Sequence, residues 1–319
     1  MRSTNDPPEV WDDARILALR PPKNAVDPVR PYAFLAEPER TRAGMVADTG
    51  VVFLTNRECP FRCLMCDLWK NTTDSRVPDG AIATQIEYAL TRLPPIQHVK
   101  LYNAGNFFDA QAIPQADWRR IADLLRSFET VIVENHPRLI GQRCLQFRDL
   151  LHGEFQVAMG LETVHPEVLP RLNKQMTLDD FARATEFLAS HEIPVRAFIL
   201  LRPPFLSEEE GIHWAKKSLR FAFDAGVECC VVIPTRSGNG AMEVLEQQGQ
   251  FAPPCLRSLE EVLTFGICQG RGRVFADLWD IEKLHPCVEC RAKRIQRLRE
   301  MNLTQSVLPS VPCGCEGSG

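Results

Sequence analysis

From Val51 onward the chain alternates between short apolar runs and longer stretches in which apolar residues recur every three or four positions. The runs fall at 51–55, 98–102, 130–134, 155–161, 195–201 and 228–233, each of a length suited to a buried strand. The stretches between them have helical length and one apolar face. Six strand and helix units in succession build a parallel α/β sheet, and right-handed crossovers roll it into a barrel or a doubly wound layer. Periodicity alone does not choose between these two.

Outside this region the pattern changes. Residues 1–48 are rich in proline and charge, with helical periodicity only from Val10 to Leu19, and read as an N-terminal extension on the surface. The core then occupies 49–240. After Pro234 the alternation stops: Gly238-Asn239-Gly240 is followed by helices around 241–248 and 258–268, so 241–319 reads as a smaller C-terminal module. Inside the core, Ser207 and Glu210 have the spacing of an N-terminal capping box.

With 319 residues the chain suffices for one large α/β domain with additions. A net charge of −4 gives no overall electrostatic footprint for nucleic acid or a membrane surface. No stretch approaches the roughly 20 apolar residues of a membrane span, and Met1 to Pro8 lack the apolar segment of a signal peptide. The expectation is a cytoplasmic protein with no membrane span. Twelve cysteines in that setting point to metal or redox chemistry, because the cytosol keeps thiols reduced.

Three of them, Cys59, Cys63 and Cys66, lie directly behind the first apolar run. Thiolates favour zinc and iron–sulfur clusters, and a closed structural site takes four protein ligands. Three from one loop leave either a fourth ligand to come from afar, as in structural zinc, or an open position where chemistry occurs. Glu134 and Glu162 each terminate an apolar run, where a carboxylate either faces the mouth of a barrel or caps the next helix. Cys229 and Cys230 are adjacent in the last run, face opposite sides and read as buried core thiols.

The three-cysteine loop after a first strand resembles the radical S-adenosylmethionine superfamily, whose thiolates hold a [4Fe-4S] cluster with one iron free for the cofactor. The residue before the third cysteine departs from the usual aromatic and is Met65. Gly160-Leu161-Glu162-Thr163, Leu172-Asn173-Lys174 and the run Leu200 to Glu208 resemble more narrowly the branch with the elongator catalytic subunit and the archaeosine synthase radical SAM subunit. Ala104 to Asp109 and Val133 to Pro137 extend that resemblance over about residues 50–300.

The resemblance implies a partial (β/α)6 TIM-like barrel with the cofactor at the C-terminal edge of its strands. It implies reductive cleavage of S-adenosylmethionine to a 5′-deoxyadenosyl radical that abstracts hydrogen from a substrate, with flavodoxin or ferredoxin as electron donor. Asn103, Ala104, Gly105 and Asn106 then occupy the place of the turn that meets the cofactor's amino group. Glu134 and Glu162 face its hydroxyls or the substrate, and Arg196 pairs with its carboxylate. Relatives in this branch act on tRNA nucleosides; a small metabolite or lipid substrate stays open, as does a non-catalytic zinc protein that binds nucleic acid.

A second set, Cys287, Cys290, Cys313 and Cys315, offers four thiolates for zinc or an auxiliary [4Fe-4S] cluster. Between its two pairs, Arg291, Lys293, Arg294, Arg297 and Arg299 make a basic helical stretch, either a solvated face or a surface for phosphates.

Overall fold

All six apolar runs are strands in the computed structural model, which describes residues 10–284 and 287–317. Two further strands join them. The sheet runs β1 (Ala33–Arg40), β2 (Val46–Leu54), β3 (His98–Asn103), β4 (Thr130–Glu134), β5 (Glu154–Glu162), β6 (Val195–Leu201), β7 (Cys229–Pro234) and β8 (Arg273–Ala276), in that spatial order. Only β1 is antiparallel to its neighbour; β2 to β8 are parallel. The helices are α1 (Asp13–Ala18), α2 (Ala81–Leu90), α3 (Trp118–Leu124), α4 (Gln142–Arg148), α5 (Val168–Arg171), α6 (Leu178–Ser190), α7 (Glu208–Asp224), α8 (Ala241–Gln247), α9 (Leu256–Cys268) and α10 (Arg291–Thr304). The result is a curled, open α/β half-barrel, the partial TIM-like architecture expected.

Strand parity sorts the side chains. Val52, Leu54, Val99, Leu101, Val131, Val133, Val157, Met159, Ala197, Ile199, Cys230 and Val232 point outward into one buried cluster with α2, α3, α6, α7 and α9. The opposite parity faces the lumen. There Phe53, Tyr102, Glu134, Gly160, Phe198, Val231 and Ile233 are half-buried among otherwise buried strand residues, so the upper lumen reaches solvent. Cys229 and Cys230 are both buried, one on each face, as the alternation requires.

Both flanks differ from the sequence reading. β1 lies within the stretch assigned to a surface extension, and its Pro38 is tolerated because the strand is at the sheet edge. β8 lies within the proposed C-terminal module yet continues the parallel sheet beside β7. Its outer edge is closed by side chains of α10: Asn302 exchanges two hydrogen bonds with Ala276 (both 2.9 Å), and Gln305 does the same with Val274 (2.7 and 2.9 Å). Two amide side chains thus satisfy a backbone edge that would otherwise be open to pairing. The Arg40 guanidinium donates to Leu303 O at 3.2 Å, so α10 bridges the seam between β8 and β1.

The bottom of the lumen is closed by charge. Arg196 donates to both carboxylate oxygens of Glu39 (2.5 and 3.1 Å), and Lys100 Nζ lies 2.5 Å from the same group. Burial works against the ionised form of Glu39, but Arg196 and Lys100 outweigh it and hold its carboxyl below the ordinary range. Arg196 is second in β6, at the N-terminal end, whereas the cysteine loop follows the C-terminal end of β2. The expected pairing of Arg196 with a cofactor carboxylate is therefore corrected: its guanidinium is spent on Glu39, at the far end of the barrel.

Because Arg196 is 2 % exposed and Lys100 4 %, Glu39→Ala leaves the buried Arg196 without its carboxylate and Lys100 with Glu37 alone (2.8 Å), and should lower the unfolding free energy by about 3–5 kcal/mol. Replacing all three charges by apolar groups, Glu39→Leu with Lys100→Met and Arg196→Met, should cost much less. Urea melts of the two proteins measure the difference.

Candidate functional site

The segment from Thr55 to Asp67 leaves the end of β2 without regular structure, so its backbone groups need partners from elsewhere. They come from all round the barrel mouth. Cys59 N–H donates to Ala104 O (3.2 Å) after β3, and Leu64 N–H to Leu172 O (2.8 Å) after α5. Asn173 Nδ2 donates to Arg62 O (2.9 Å), Trp69 Nε1 to Cys66 O (3.1 Å), and the Arg62 guanidinium to Cys59 O. The buried Asn239, after β7, donates to Leu64 O (2.7 Å) and Cys66 O (3.1 Å). From below, the Gln85 amide brackets Thr55 with two bonds of 2.8 and 2.7 Å.

The N-terminal segment crosses this loop as well. Trp11 and Ile16 are buried with Leu64, Met242, Leu245 and Phe251, and Met65 packs between that cluster and the one around Leu172 and Leu200. A flexible thioether at position 65 thus fills a junction between two apolar clusters. Arg20 and Lys23 both pair with Glu58 (2.6 and 3.0 Å), and Asp13 accepts from Asn173 (2.7 Å). Residues 10–24 are part of the site's wall.

A charged pair stands beside the thiols. Lys174 Nζ donates to Glu162 Oε1 at 2.7 Å, and both side chains are nearly buried. Each is aimed by unusual backbone. Glu162 has φ +65° at an irregularity in the β5–β6 register, and Lys174 sits between Asn173 (φ +50°) and Gln175 (φ +56°). Gly160 is required here, because a Cβ would collide with Glu162 Oε1 and Lys174 Nζ. Burial alone would discharge Lys174, but Glu162 and the neighbouring Cys63 and Cys59 keep it protonated, its pKa above the ordinary lysine range.

Burial pushes the thiols of Cys63 and Cys66 up to about 12 and that of Cys59 up to about 11. Burial raises the core thiol of Cys144 in the same way, so the shift marks burial; it is the convergence of three thiols on one loop that suits a soft metal. Glu134 faces the same space; burial raises it to about 7, with Lys174 opposing and Glu162 reinforcing the shift. Beside it, Tyr32, Phe53, Tyr102 and Phe198 form a continuous aromatic wall with successive ring centroids 5.6, 6.3 and 5.9 Å apart.

The turn Asn103-Ala104-Gly105-Asn106 is brought to the cysteines, but its groups serve the loop. With its amide oriented to meet the donors around it, Asn103 Oδ1 accepts from Asn106 N (3.0 Å) and Gly105 N (3.3 Å). Gly105 is needed because a Cβ would collide with Asn56 and Ala112. Asn106 Oδ1 accepts from His136 N at 2.7 Å and Nδ2 points to Cys59 Sγ at 3.2 Å, so this side chain ties the turn to both the β4 end and the cysteine loop.

Sequence reasoning passed over Lys174, His136, Asn239 and Asn173 as site residues. Lys174 and Asn173 lie in a phrase singled out by resemblance, which was the available signal; nothing local marks Asn239, whose role depends on the fold bringing β7 beside the loop.

Among the described residues, one group of three or more His, Cys, Asp or Glu ligand atoms lies mutually within 4.8 Å: Cys287, Cys290, Cys313 and Cys315. Two of its sulfur pairs are 3.8 and 3.6 Å apart. Cys59, Cys63 and Cys66 are not drawn to that spacing, and no fourth ligand of these types joins them. Three soft donors around a wider space, next to a fixed cation, fit a multinuclear cluster with an open corner better than one closed ion. The basic stretch of α10 is partly consumed: Arg294 and Arg297 pair with Glu260, and Arg297 also donates to Leu308 O (2.7 Å). No helix among the described residues is long and apolar enough to cross a membrane.

Fold and site together define a βα half-barrel with three thiols on the loop at its mouth. No family model matches the chain. An uncharacterized protein of Methanocaldococcus jannaschii is 23% identical over 324 residues, covering 91% of this chain and 86% of that one. The archaeosine synthase subunit beta of Methanosarcina acetivorans is 26% identical over 281 residues, covering 80% and 78%. Among solved structures, Elp3 of Methanocaldococcus infernus superposes with a TM-score of 0.50 at 16% identity, over 69% of this chain and 58% of that chain. The chain is thus similar in sequence to archaeosine synthase beta subunits and shares its fold with Elp3.

The raised Glu134 carboxyl makes a signed prediction. The folded protein holds that proton from the ordinary 4.5 up to about 7, whereas the unfolded chain releases it near the ordinary value, so stability should fall as pH rises across this interval. Glu134→Gln should remove that part of the slope and be the more stable protein above the interval. Thermal melts of the metal-free proteins across the interval test it.

Proposed function

We propose that this chain is a radical S-adenosylmethionine enzyme acting on a tRNA nucleoside, with a [4Fe-4S] cluster held by Cys59, Cys63 and Cys66. The observation that carries the reading is the three-thiol loop at the C-terminal edge of the barrel, clamped by groups from β3, β7 and the α5 turn, with no closed four-ligand group formed around it among the described residues. When bound, the cluster and S-adenosylmethionine supply one-electron cleavage of a carbon–sulfur bond and a 5′-deoxyadenosyl radical that takes hydrogen from the substrate.

The chain's own residues supply the setting. Lys174 balances thiolate charge, and Glu162 fixes Lys174. Glu134, titrating near neutrality, offers a hydrogen-bonding group to ribose hydroxyls or to a base edge. The wall of Tyr32, Phe53, Tyr102 and Phe198 is suited to a flat heterocycle, because aromatic rings stack on base faces. The tRNA assignment draws on relatives named as archaeosine synthase subunits, whose names also favour a partner protein for this chain. A flavodoxin or ferredoxin fits as electron donor.

For the second cysteine set we propose a single zinc ion. Tetrahedral zinc with Zn–S of about 2.3 Å has sulfur–sulfur edges of about 3.8 Å, and the observed pairs are 3.8 and 3.6 Å. A cubane would hold its corner thiolates farther apart. Cys290 caps α10 at its N-terminus, so the ion would brace the helix that closes the barrel seam.

Anaerobically purified protein should be brown, with about four irons and about one zinc per chain, and when reduced should form 5′-deoxyadenosine. Cys63→Ala should abolish that product. Its formation should rise on addition of tRNA; colourless, iron-free protein after reconstitution would sink the enzyme reading, and rates indifferent to tRNA would sink the substrate. Separately, Cys290→Ala should lose the zinc, keep the four irons and melt earlier, as followed by metal analysis and calorimetry; eight irons in the parent would refute zinc.

A further inference from the structure

Resting on the cluster assignment above, we infer that Asn106 tunes the cluster's reduction potential through an N–H···S hydrogen bond to Cys59. Asn106 is 4 % exposed, and its Nδ2 lies 3.2 Å from Cys59 Sγ. The orientation of the amide is not free. Oδ1 accepts the His136 backbone N–H at 2.7 Å, and since that partner can only donate, the oxygen must face it and the NH2 must face the sulfur.

His136 is itself immobilised on every side. Its ring Nδ1 accepts from Arg138 N (3.2 Å), which leaves Nε2 as the protonated nitrogen donating to Lys174 O (3.1 Å). One face of the ring stacks on Phe61 of the cysteine loop, with centroids 3.8 Å apart. Burial, with the Lys174 charge, depresses its pKa to about 3, so the ring is neutral. The chain of contacts from Lys174 through His136 to Asn106 ends on a cluster ligand, and Asn106 is the side chain among the described residues seen donating to a sulfur of the triple.

Reduction adds one electron to the cluster and makes its sulfurs more negative. A fixed donor on one of them is therefore worth more in the reduced state than in the oxidised state, and it raises the potential. Asn106 touches a ligand and not the substrate, so it is a positioning and tuning residue.

The test is an anaerobic titration with dithionite as the one-electron donor, without S-adenosylmethionine, following the EPR signal of the reduced cluster. Asn106→Leu keeps the shape and removes the donor. It should shift the reduction equilibrium about tenfold toward the oxidised cluster, which is about 59 mV for one electron, at unchanged iron content. Asn106→Ala serves as the second variant and decides the matter if leucine does not load iron. An unchanged potential in a fully loaded variant would overturn the inference, and so would failure of both variants to hold iron, because Asn106 would then shape the loop without tuning it. Failure of the parent protein to hold any iron–sulfur cluster would instead defeat the function proposed above.

Discussion

The constraint on which the rest of this structure depends is that an irregular loop must hold three thiols still. Between Thr55 and Asp67 the backbone has a single bridge, Arg57 with Thr73, and an unpaired buried amide or carbonyl costs about 1–3 kcal/mol. The fold answers by sending a donor or acceptor from a different element to each part of the loop: Ala104 to Cys59, Asn173 to Arg62, Leu172 and Asn239 to Leu64, and Trp69 with Asn239 to Cys66. The barrel is the frame that makes these points converge. The N-terminal segment, with Trp11 and Ile16 packed on Leu64, closes the loop from above.

Charge is distributed along the lumen in two layers with different duties. At the bottom, Arg196 and Lys100 pair with Glu39, Glu37 adds a second carboxylate to Lys100, and together they shut the barrel. At the mouth, Glu162 and Lys174 pair while facing the thiols. Between the two lies the aromatic layer of Phe53, Tyr102 and Phe198. An apolar layer there lowers the dielectric around the buried lower ion pairs and so strengthens them.

Much of this was legible in the sequence, for identifiable reasons. The six apolar runs stood out because strands covered by helices are apolar on one full parity and nearly so on the other. β8 escaped because it is four residues long and starts on an arginine, and β1 because Pro38 and two glutamates disguise an edge strand. Arg196 shows the limit of face assignment: alternation correctly turns it into the lumen, but depth along the lumen depends on its place in the strand, and the second position lies below the chemistry. Asn106 was placed beside the cysteines by its position after β3, but sequence position does not reveal that its amide also holds His136 N–H.

The geometry of β5 shows what the mouth costs to build. A non-glycine residue in the left-handed region is disfavoured by roughly 1–2 kcal/mol, and Glu162 at φ +65° accepts that cost. An ordinary extended residue at this point would continue the alternation and lay its side chain along the strand. The irregularity instead raises the carboxylate over Gly160, the one strand residue small enough to leave room, and brings it 2.7 Å from Lys174. Lys174 is held in turn by a turn with left-handed residues on both sides. Two strained segments from opposite ends of α5 are thus locked by a single ion pair, and the charge left over on that lysine faces Cys59 and Cys63.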